Sequence, residues 1–286
     1  MKPYIELTKP RITWLILMST GIGYFFGLHI AGSAGWHWLA LLHTILGTGL
    51  IASGTAALNQ WYERDADAKM RRTQGRPLPS GRITPRNALV FGLSISLAGF
   101  LELSLGVNLL TGLLGLFTLA SYLFVYTPLK QRSPHSTTIG AIPGAMPPLI
   151  GYAASSGTLN AEAWILFAIL FLWQFPHFYA IAWMYREDYE RAGIRMLPVV
   201  QPDGESTARQ ILLYSLVLIP ISLIPRMLAM TGNLYVIGAL ALGLYYLYSG
   251  TRVTFYRTRR QARGVLLASI VYLPVLYALM LIDHVK

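Results

Sequence analysis

The stretch "WLALLHTILGTGLIASGTAALNQWYERDADAKMRR", Trp38 to Arg72, joins two chemistries without a break. Its first part, 38–58, holds no Asp, Glu, Lys or Arg. It matches the roughly 20 apolar residues that a helix needs to cross a bilayer. Its second part sets the carboxylates Glu63, Asp65 and Asp67 among Arg64, Lys69, Arg71 and Arg72. A membrane span that empties directly into a mixed-charge segment reads as a helix leading to a polar site.

The same kind of apolar run recurs on both sides of this stretch. Spans are predicted over 12–31, 38–58, 87–106, 109–127, 139–154, 162–184, 210–228, 233–250 and 264–282. The chain is therefore expected to be an all-α polytopic membrane protein with nine transmembrane helices, forming a single domain over 1–286. Composition agrees: 54% of residues are hydrophobic and 12% charged, against about 25% charged in soluble domains. The runs do not alternate, which excludes a membrane β-barrel. The fifth span is short and broken by Pro143, Pro147 and Pro148, with Gly140, Gly144 and Gly151 around them. The first span follows Lys2, Lys9 and Arg11 and is longer than the ~7–15 apolar residues of a signal peptide. It is read as a retained span, although Gly32, Ser33 and Ala34 imitate a cleavage site.

Orientation follows from the basic residues, which concentrate in cytoplasmic loops. Every Lys and Arg except Arg226 and Lys286 falls in the N-terminal tail or in loops 59–86, 128–138, 185–209 and 251–263. This places the N-terminus in the cytoplasm and the C-terminus outside, which requires an odd number of spans. The net charge of +11 then points to anionic lipids or an anionic substrate rather than nucleic acid. The absence of cysteine excludes disulfides, thiolate nucleophiles and cysteine-ligated metals.

Two constellations carry chemistry. If the second span continues as a helix past residue 58, Asn59, Glu63 and Asp67 stand at i, i+4 and i+8. Each step of four drifts by only ~40°, so the three line one face over ~12 Å. Three oxygen-bearing side chains on one face suit a hard cation such as Mg²⁺, which keeps waters and takes further oxygens from substrate phosphates. Asp65 points elsewhere. Arg71, Arg72 and Arg76 follow at once, and Lys130 and Arg132 sit in the tight loop "YTPLKQRSPHST". Guanidinium groups bind phosphate oxygens bidentately, so carboxylates beside these cations make a candidate diphosphate site. Basic anchors and i, i+4 ion pairs would explain the sign of this loop, but not the in-register triplet.

The second constellation is "FLWQFPHFYAIAWMYREDYERAGIRMLPVV", Phe171 to Val200. Gln174 and His177 lie inside the sixth span, where polar residues are functional candidates; a plain interhelical hydrogen bond is the competing reading for both. Asp188 lies eleven residues beyond His177, near three full turns, so the two share a face if the helix continues. Trp61, Tyr62, Trp183 and Tyr185 fit interfacial aromatic belts. Trp173, Phe175 and Phe178 fit packing, or a cavity wall that stabilises a cation. His29, His37, His43 and His284 fall toward the outer side and receive no role.

The segments "NQWYERDADAKMRRTQGRPLP", "YTPLKQRSPHSTTIGAIPGAMPPLIGY", "WQFPHFYAIAW" and "DYERAGIRMLPVV" together resemble the intramembrane, UbiA-type prenyltransferase superfamily, and within it the branch that farnesylates heme. The resemblance implies a helical bundle around a central cavity that opens to the cytoplasmic side of a bacterial plasma membrane. It implies Mg²⁺-assisted transfer of farnesyl from farnesyl diphosphate to a vinyl group of heme b, with addition of water, giving heme O for terminal oxidases. A heme A synthase or an oxidase assembly factor would then be a partner. By motif position, Asn59, Glu63, Asp67 and Asp188 would hold Mg²⁺, and Arg71, Arg72, Arg76, Lys130 and Arg132 would contact diphosphate or heme propionates. His177 would orient the water or touch the heme. Two departures stand out: Glu63 replaces the usual Asp, and Ala192 stands four residues after Asp188 where quinone-pathway relatives carry a second carboxylate. A transporter, a non-catalytic heme chaperone and a prenyltransferase acting on a quinone precursor are the rival readings.

Overall fold

The computed structural model describes residues 1–30 and 37–285, with backbone alone at His29 and Ile30. Gly32, Ser33 and Ala34 lie outside the described residues, as does the side chain of His29. The described chain is helical, with one isolated antiparallel bridge between Thr231 and His284. The short α1 (Lys2–Leu7) precedes α2 (Pro10–Ile30), and the opening stretch forms α3 (Trp38–Tyr62) and α4 (Arg64–Lys69). Then come α5 (Pro85–Gly106), α6 (Leu109–Ala120), a π-helical turn (Ser121–Tyr126), α7 (Thr127–Leu129), α8 (Ser136–Gly144) and α9 (Pro147–Ser156). The C-terminal half holds α10 (Ala161–Met184), α11 (Arg186–Arg191), α12 (Leu197–Val200), α13 (Glu205–Met227), α14 (Asn233–Tyr256) and α15 (Arg259–Ile282).

Among the described residues, eight helices are long and apolar enough to cross a membrane, with α6, the π-turn and α7 counted as one. The expected fifth span is the pair α8–α9, and neither half is long enough to cross alone. Several helices outrun their apolar segments. Thr84 caps α5 by accepting from Asn87 N at 3.2 Å, with Pro85 in the first turn, and Thr258 caps α15 by accepting from Gln261 N. Both arrangements satisfy amides that a helix start leaves unpaired.

The bundle closes through small residues, as expected where lipid offers no hydrophobic drive between helices. A Cβ on Gly99 of α5 would lie 2.8 Å from Gly47 O of α3, and one on Gly151 of α9 would strike Thr20 O of α2. Outward faces are apolar instead: Leu93, Leu97, Leu101 and Leu105 repeat at i, i+4 on α5, and all are exposed. Such a stripe suits lipid rather than water.

The charged segments gather at one end of the bundle. Ala66 and Met70 pack against Ala182, Ala192, Ile194 and Met196, and Arg195 N donates to Lys130 O at 2.8 Å. The N-terminal segment is fastened there too. Leu7 is fully buried with Ala57, Leu78, Ile83 and Ala88, Gln60 Nε2 donates to Leu7 O at 2.9 Å, and Arg82 pairs with Glu6.

Candidate active site

The first wall of the site is the junction of α3 and α4. The helix breaks at Glu63, yet the i→i+4 ladder runs through it: Glu63 N donates to Asn59 O at 2.9 Å and Asp67 N to Glu63 O at 2.8 Å. Asn59, Glu63 and Asp67 therefore stay in register, and all three are buried. Asp65 is exposed. A fully buried carboxylate needs a partner. Asp67, at 0% exposure, receives Arg76 Nη1 on both oxygens, at 2.9 and 2.7 Å. Thr73 Oγ1 donates to Asp67 O at 2.8 Å and holds the intervening loop.

Glu63 takes its partner from another loop: Lys130 Nζ lies 2.8 Å from Glu63 Oε1. Burial opposes the charge on Glu63, but Lys130 outweighs it and holds the carboxyl below its ordinary range. Lys130 is raised in turn, its burial outweighed by Glu63 and by Tyr126 and Tyr122. Its ammonium lies 4.5 Å from the Tyr126 ring centroid and 5.8 Å from that of Tyr122. Those rings sit on the π-helical turn, a form that recurs at functional sites. Gly140 makes room for Tyr126: a Cβ there would overlap the ring. Thr127, just after the turn, accepts from Asn59 Nδ2 at 3.3 Å.

The second wall comes from α11. Asp188 is buried, pairs with Arg191 on the same helix, and accepts from Arg71 N at 3.3 Å. The two carboxylate segments thus meet. Arg72 reinforces that contact by stacking over Tyr185 and Tyr189, at 5.0 and 4.5 Å. Arg71 and Arg72 are exposed beside Asp188 and its helix, and Arg132 is exposed two residues after Lys130.

His177 lies apart from this cluster. Its Nδ1 is 2.7 Å from Ser269 Oγ of α15, and Trp173 stacks on its ring at 4.8 Å. Ser269 Oγ donates its one hydrogen to Leu266 O at 2.6 Å. Nδ1 is then the donor to Oγ, and Nε2 keeps its lone pair. Both amide hydrogens of Gln174 are used: its Nε2 donates to Ala141 O and Leu170 O, tying α10 to the broken helix α8. Phe175 stacks on Tyr214 of α13 with centroids 3.8 Å apart, so it is packing rather than cavity wall.

Sequence reasoning missed Tyr122, Tyr126 and Lys9. Lys9 reads as one more basic anchor, but the charges of Arg76, Lys130, Glu63 and Asp67 all act on it. It also missed a link between α3 and α5 toward the other end, where His43 Nδ1 meets Glu102 Oε1 at 2.7 Å.

The donor chemistry fits Mg²⁺. Asn59, Glu63 and Asp67 offer oxygens from one wall and Asp188 from the other, a set suited to a hard ion. Among the described residues, no three His, Cys, Asp or Glu side chains converge into a preformed cage. A Mg²⁺ ion held here would draw on substrate oxygens and water for the rest of its coordination, as it commonly does.

A helical membrane bundle whose carboxylates and cations interleave at one end defines an intramembrane enzyme that handles a polyanionic group. The UbiA prenyltransferase family matches the chain over residues 20–277, and the chain belongs to that family. It is a prenyltransferase. It is 66% identical to the protoheme IX farnesyltransferase of Solibacter usitatus, over 99% of each chain. It is 47% identical to that of Koribacter versatilis, over 99% of this chain and 94% of the relative. Among solved structures, digeranylgeranylglyceryl phosphate synthase shares the fold at a TM-score of 0.81 and 17% identity, covering 99% and 97% of the two chains. A UbiA homolog from Archaeoglobus fulgidus bound to GPP and Mg²⁺ shares it at 0.67 and 15% identity, covering 97% and 99%.

Proposed function

We propose that this chain transfers the farnesyl group of farnesyl diphosphate to a vinyl group of heme b, with uptake of water, to give heme O for terminal oxidases. The observation that carries this reading is the trio of buried carboxylates, each held by a cation. Arg76 pairs with Asp67, Lys130 with Glu63 and Arg191 with Asp188. A bound diphosphate can draw those cations to its own oxygens and free the carboxylates for a metal. The acceptor is taken from the high identity to protoheme IX farnesyltransferases over the full chain.

Asn59, Glu63, Asp67 and Asp188 would hold Mg²⁺, which supplies positive charge to the diphosphate oxygens. Arg71, Arg72, Arg76, Lys130 and Arg132 bind the remaining phosphate oxygens or the heme propionates. Preorganised positive charge of this kind stabilises a leaving group as its negative charge develops. The allylic C–O bond breaks and the diphosphate departs with the electron pair. The vinyl π electrons form the new C–C bond to farnesyl, and water adds to the resulting cation and loses a proton. Tyr122 and Tyr126, whose faces already hold the Lys130 ammonium, can stabilise the allylic cation in the same way. His177, with Nε2 free as an acceptor, orients the water or touches the heme. The bundle excludes bulk water that would otherwise capture the farnesyl cation.

The whole chain acts as one domain in the bacterial plasma membrane. Its charged end and N-terminus face the cytoplasm, its C-terminus faces outward, and it passes heme O to a heme A synthase or an oxidase assembly factor. The test is mass spectrometry of purified protein incubated with Mg²⁺, farnesyl diphosphate and heme b. A product bearing farnesyl plus water is expected. Prenylation of a hydroxybenzoate or naphthoate instead would overturn the acceptor, and flux without chemistry would indicate a transporter.

A further inference from the structure

Lys9 stands between α1 and α2 with φ at +48°. A non-glycine residue rarely adopts this conformation, and a residue before proline is driven away from helical angles as well. The neighbours hold it there. Lys9 N donates to Glu6 O, and Lys9 O accepts from Ile12 N and Thr13 N, so one residue closes α1 and caps α2. Leu7, two residues earlier, is locked into the core and bonded to Gln60, one residue from Asn59. The strained turn thus fixes where the Lys9 side chain emerges.

It emerges among the charges of the first wall, partly buried. Around it, Arg76 is spent on Asp67 and Lys130 on Glu63. Among the described residues, the Lys9 ammonium has no hydrogen-bond or ion-pair partner, unlike Arg76 and Lys130 beside it. Desolvation, then Arg76 and Lys130, push its pKa down to about 7, against the pull of Glu63 and Asp67. A partly buried cation costs free energy unless it is paired. An anion delivered by the substrate would relieve that cost and be bound by it.

We propose that Lys9 is a further ligand of the prenyl diphosphate, presented by the left-handed turn of an N-terminal strap that α1 forms across the charged end. The proposal rests on the diphosphate site described above. It adds a residue from the N-terminal segment, whose basic residues the positive-inside bias alone would explain, and it makes the seating of α1 part of substrate capture. Diphosphate bound there would touch three segments far apart in the chain: the strap, the 67–76 loop and Lys130.

The test uses detergent-solubilised full-length protein with inorganic diphosphate and Mg²⁺ as the probe. Lys9→Gln is expected to raise the inhibition constant of inorganic diphosphate and the KM for farnesyl diphosphate by about tenfold, the loss of one charge-assisted contact. The KM for heme b should stay unchanged, and Lys9→Arg should restore both constants to within about threefold. Lys2→Gln removes a charge from α1, seven residues before Lys9, and should change neither constant. A Lys9→Gln protein that binds diphosphate as the wild type does, or a Lys2→Gln protein equally impaired, overturns the assignment. If Lys9→Gln does not fold, acetylation footprinting of the wild type decides. Diphosphate should slow modification of Lys9 but not of Lys2 or Lys69, and equal modification with and without diphosphate sinks the idea. A wild type that binds no diphosphate at all would overturn the site itself, an outcome distinct from failure at Lys9 alone.

Discussion

The charged end and the interior of α10 both bury polar groups, and they satisfy them in opposite ways. Gln174 spends its amide hydrogens on two backbone carbonyls, Ala141 O and Leu170 O. Nothing about that arrangement is exchangeable. Asp67, Glu63 and Asp188 are satisfied by Arg76, Lys130 and Arg191, all side chains that can swing to another anion. Buried ion pairs are weak contributors to stability, and apolar replacements often match them. A fold that keeps such pairs in contact at one end of an apolar bundle keeps them for what they can exchange. His177, one turn from Gln174, falls between the two cases, with one ring nitrogen used and one left over.

The largest effect that would sharpen this contrast is at Asp67. Asp67→Asn keeps the shape and one of the two acceptor oxygens but removes the charge, and the rate of heme farnesylation should fall by about 10²–10³. The melting temperature in detergent should stay close to that of the wild type, because Arg76 is partly exposed and can be resolvated. A normal rate with Mg²⁺ present would remove Asp67 from the metal site.

Next is the Glu63–Lys130 pair. Lys130→Met leaves a carboxylate buried without its partner and should lower stability by about 3–5 kcal/mol. The double variant Glu63→Gln/Lys130→Met should recover most of that loss while remaining inactive. Since Glu63 is held below its ordinary value of 4.5, the pair's contribution is complete above that pH. It fades as the pH falls through the folded-state value. Glu63→Gln should therefore lose this part of the acid sensitivity in a melting-temperature profile. A Lys130→Met protein as stable as the wild type would mean that water already screens the pair.

His177 comes third. His177→Ala should lower the rate by about tenfold and weaken heme b binding without changing the inhibition constant of inorganic diphosphate. Ser269→Ala, which removes only the acceptor of Nδ1–H, should reproduce part of the effect. Equal losses toward both substrates would return His177 to a structural role beside Gln174.

How far the sequence speaks differs along the same lines. The spans are legible because apolar length is dictated by the bilayer. The Asn59–Glu63–Asp67 register is legible because the hydrogen-bond ladder crosses the helix break at Glu63 without a slip. Asp188 is legible by its motif position, but not as a neighbour of His177: the helix that would give the two one face ends at Met184, and α11 starts afresh at Arg186. Lys9 is not legible, because the positive-inside bias accounts for any basic residue at that place, and nothing in its spacing marks a left-handed turn. Nor is the π-turn: "SYLFVY" has the hydropathy of an ordinary apolar helix. The partner of Asp67 is also hidden, since the nine-residue step to Arg76 runs through a loop whose path no periodicity predicts. Gln174 and His177 look alike in sequence because what separates them is how much of each side chain's bonding capacity its neighbours consume.

That last distinction gives the smallest predicted effect. A Cβ on Gly144 would overlap Gln174 Oε1, so Gly144→Ala should be destabilising as the amide is forced off its two carbonyls. Gln174→Leu should cost about 1 kcal/mol, in the range measured for hydrogen bonds between membrane helices. The two changes touch the same atoms and should not add: in a Gln174→Ala background the methyl at position 144 finds space, and Gly144→Ala should become nearly neutral. Throughout this set, turnover per folded molecule should stay within about twofold of the wild type. If Gln174→Leu instead silences the enzyme as Asp67→Asn does, an amide in α10 whose hydrogens are both spent on backbone carbonyls is acting on the chemistry. The division between exchangeable and spent polar groups would then fail at the place where it is drawn most sharply.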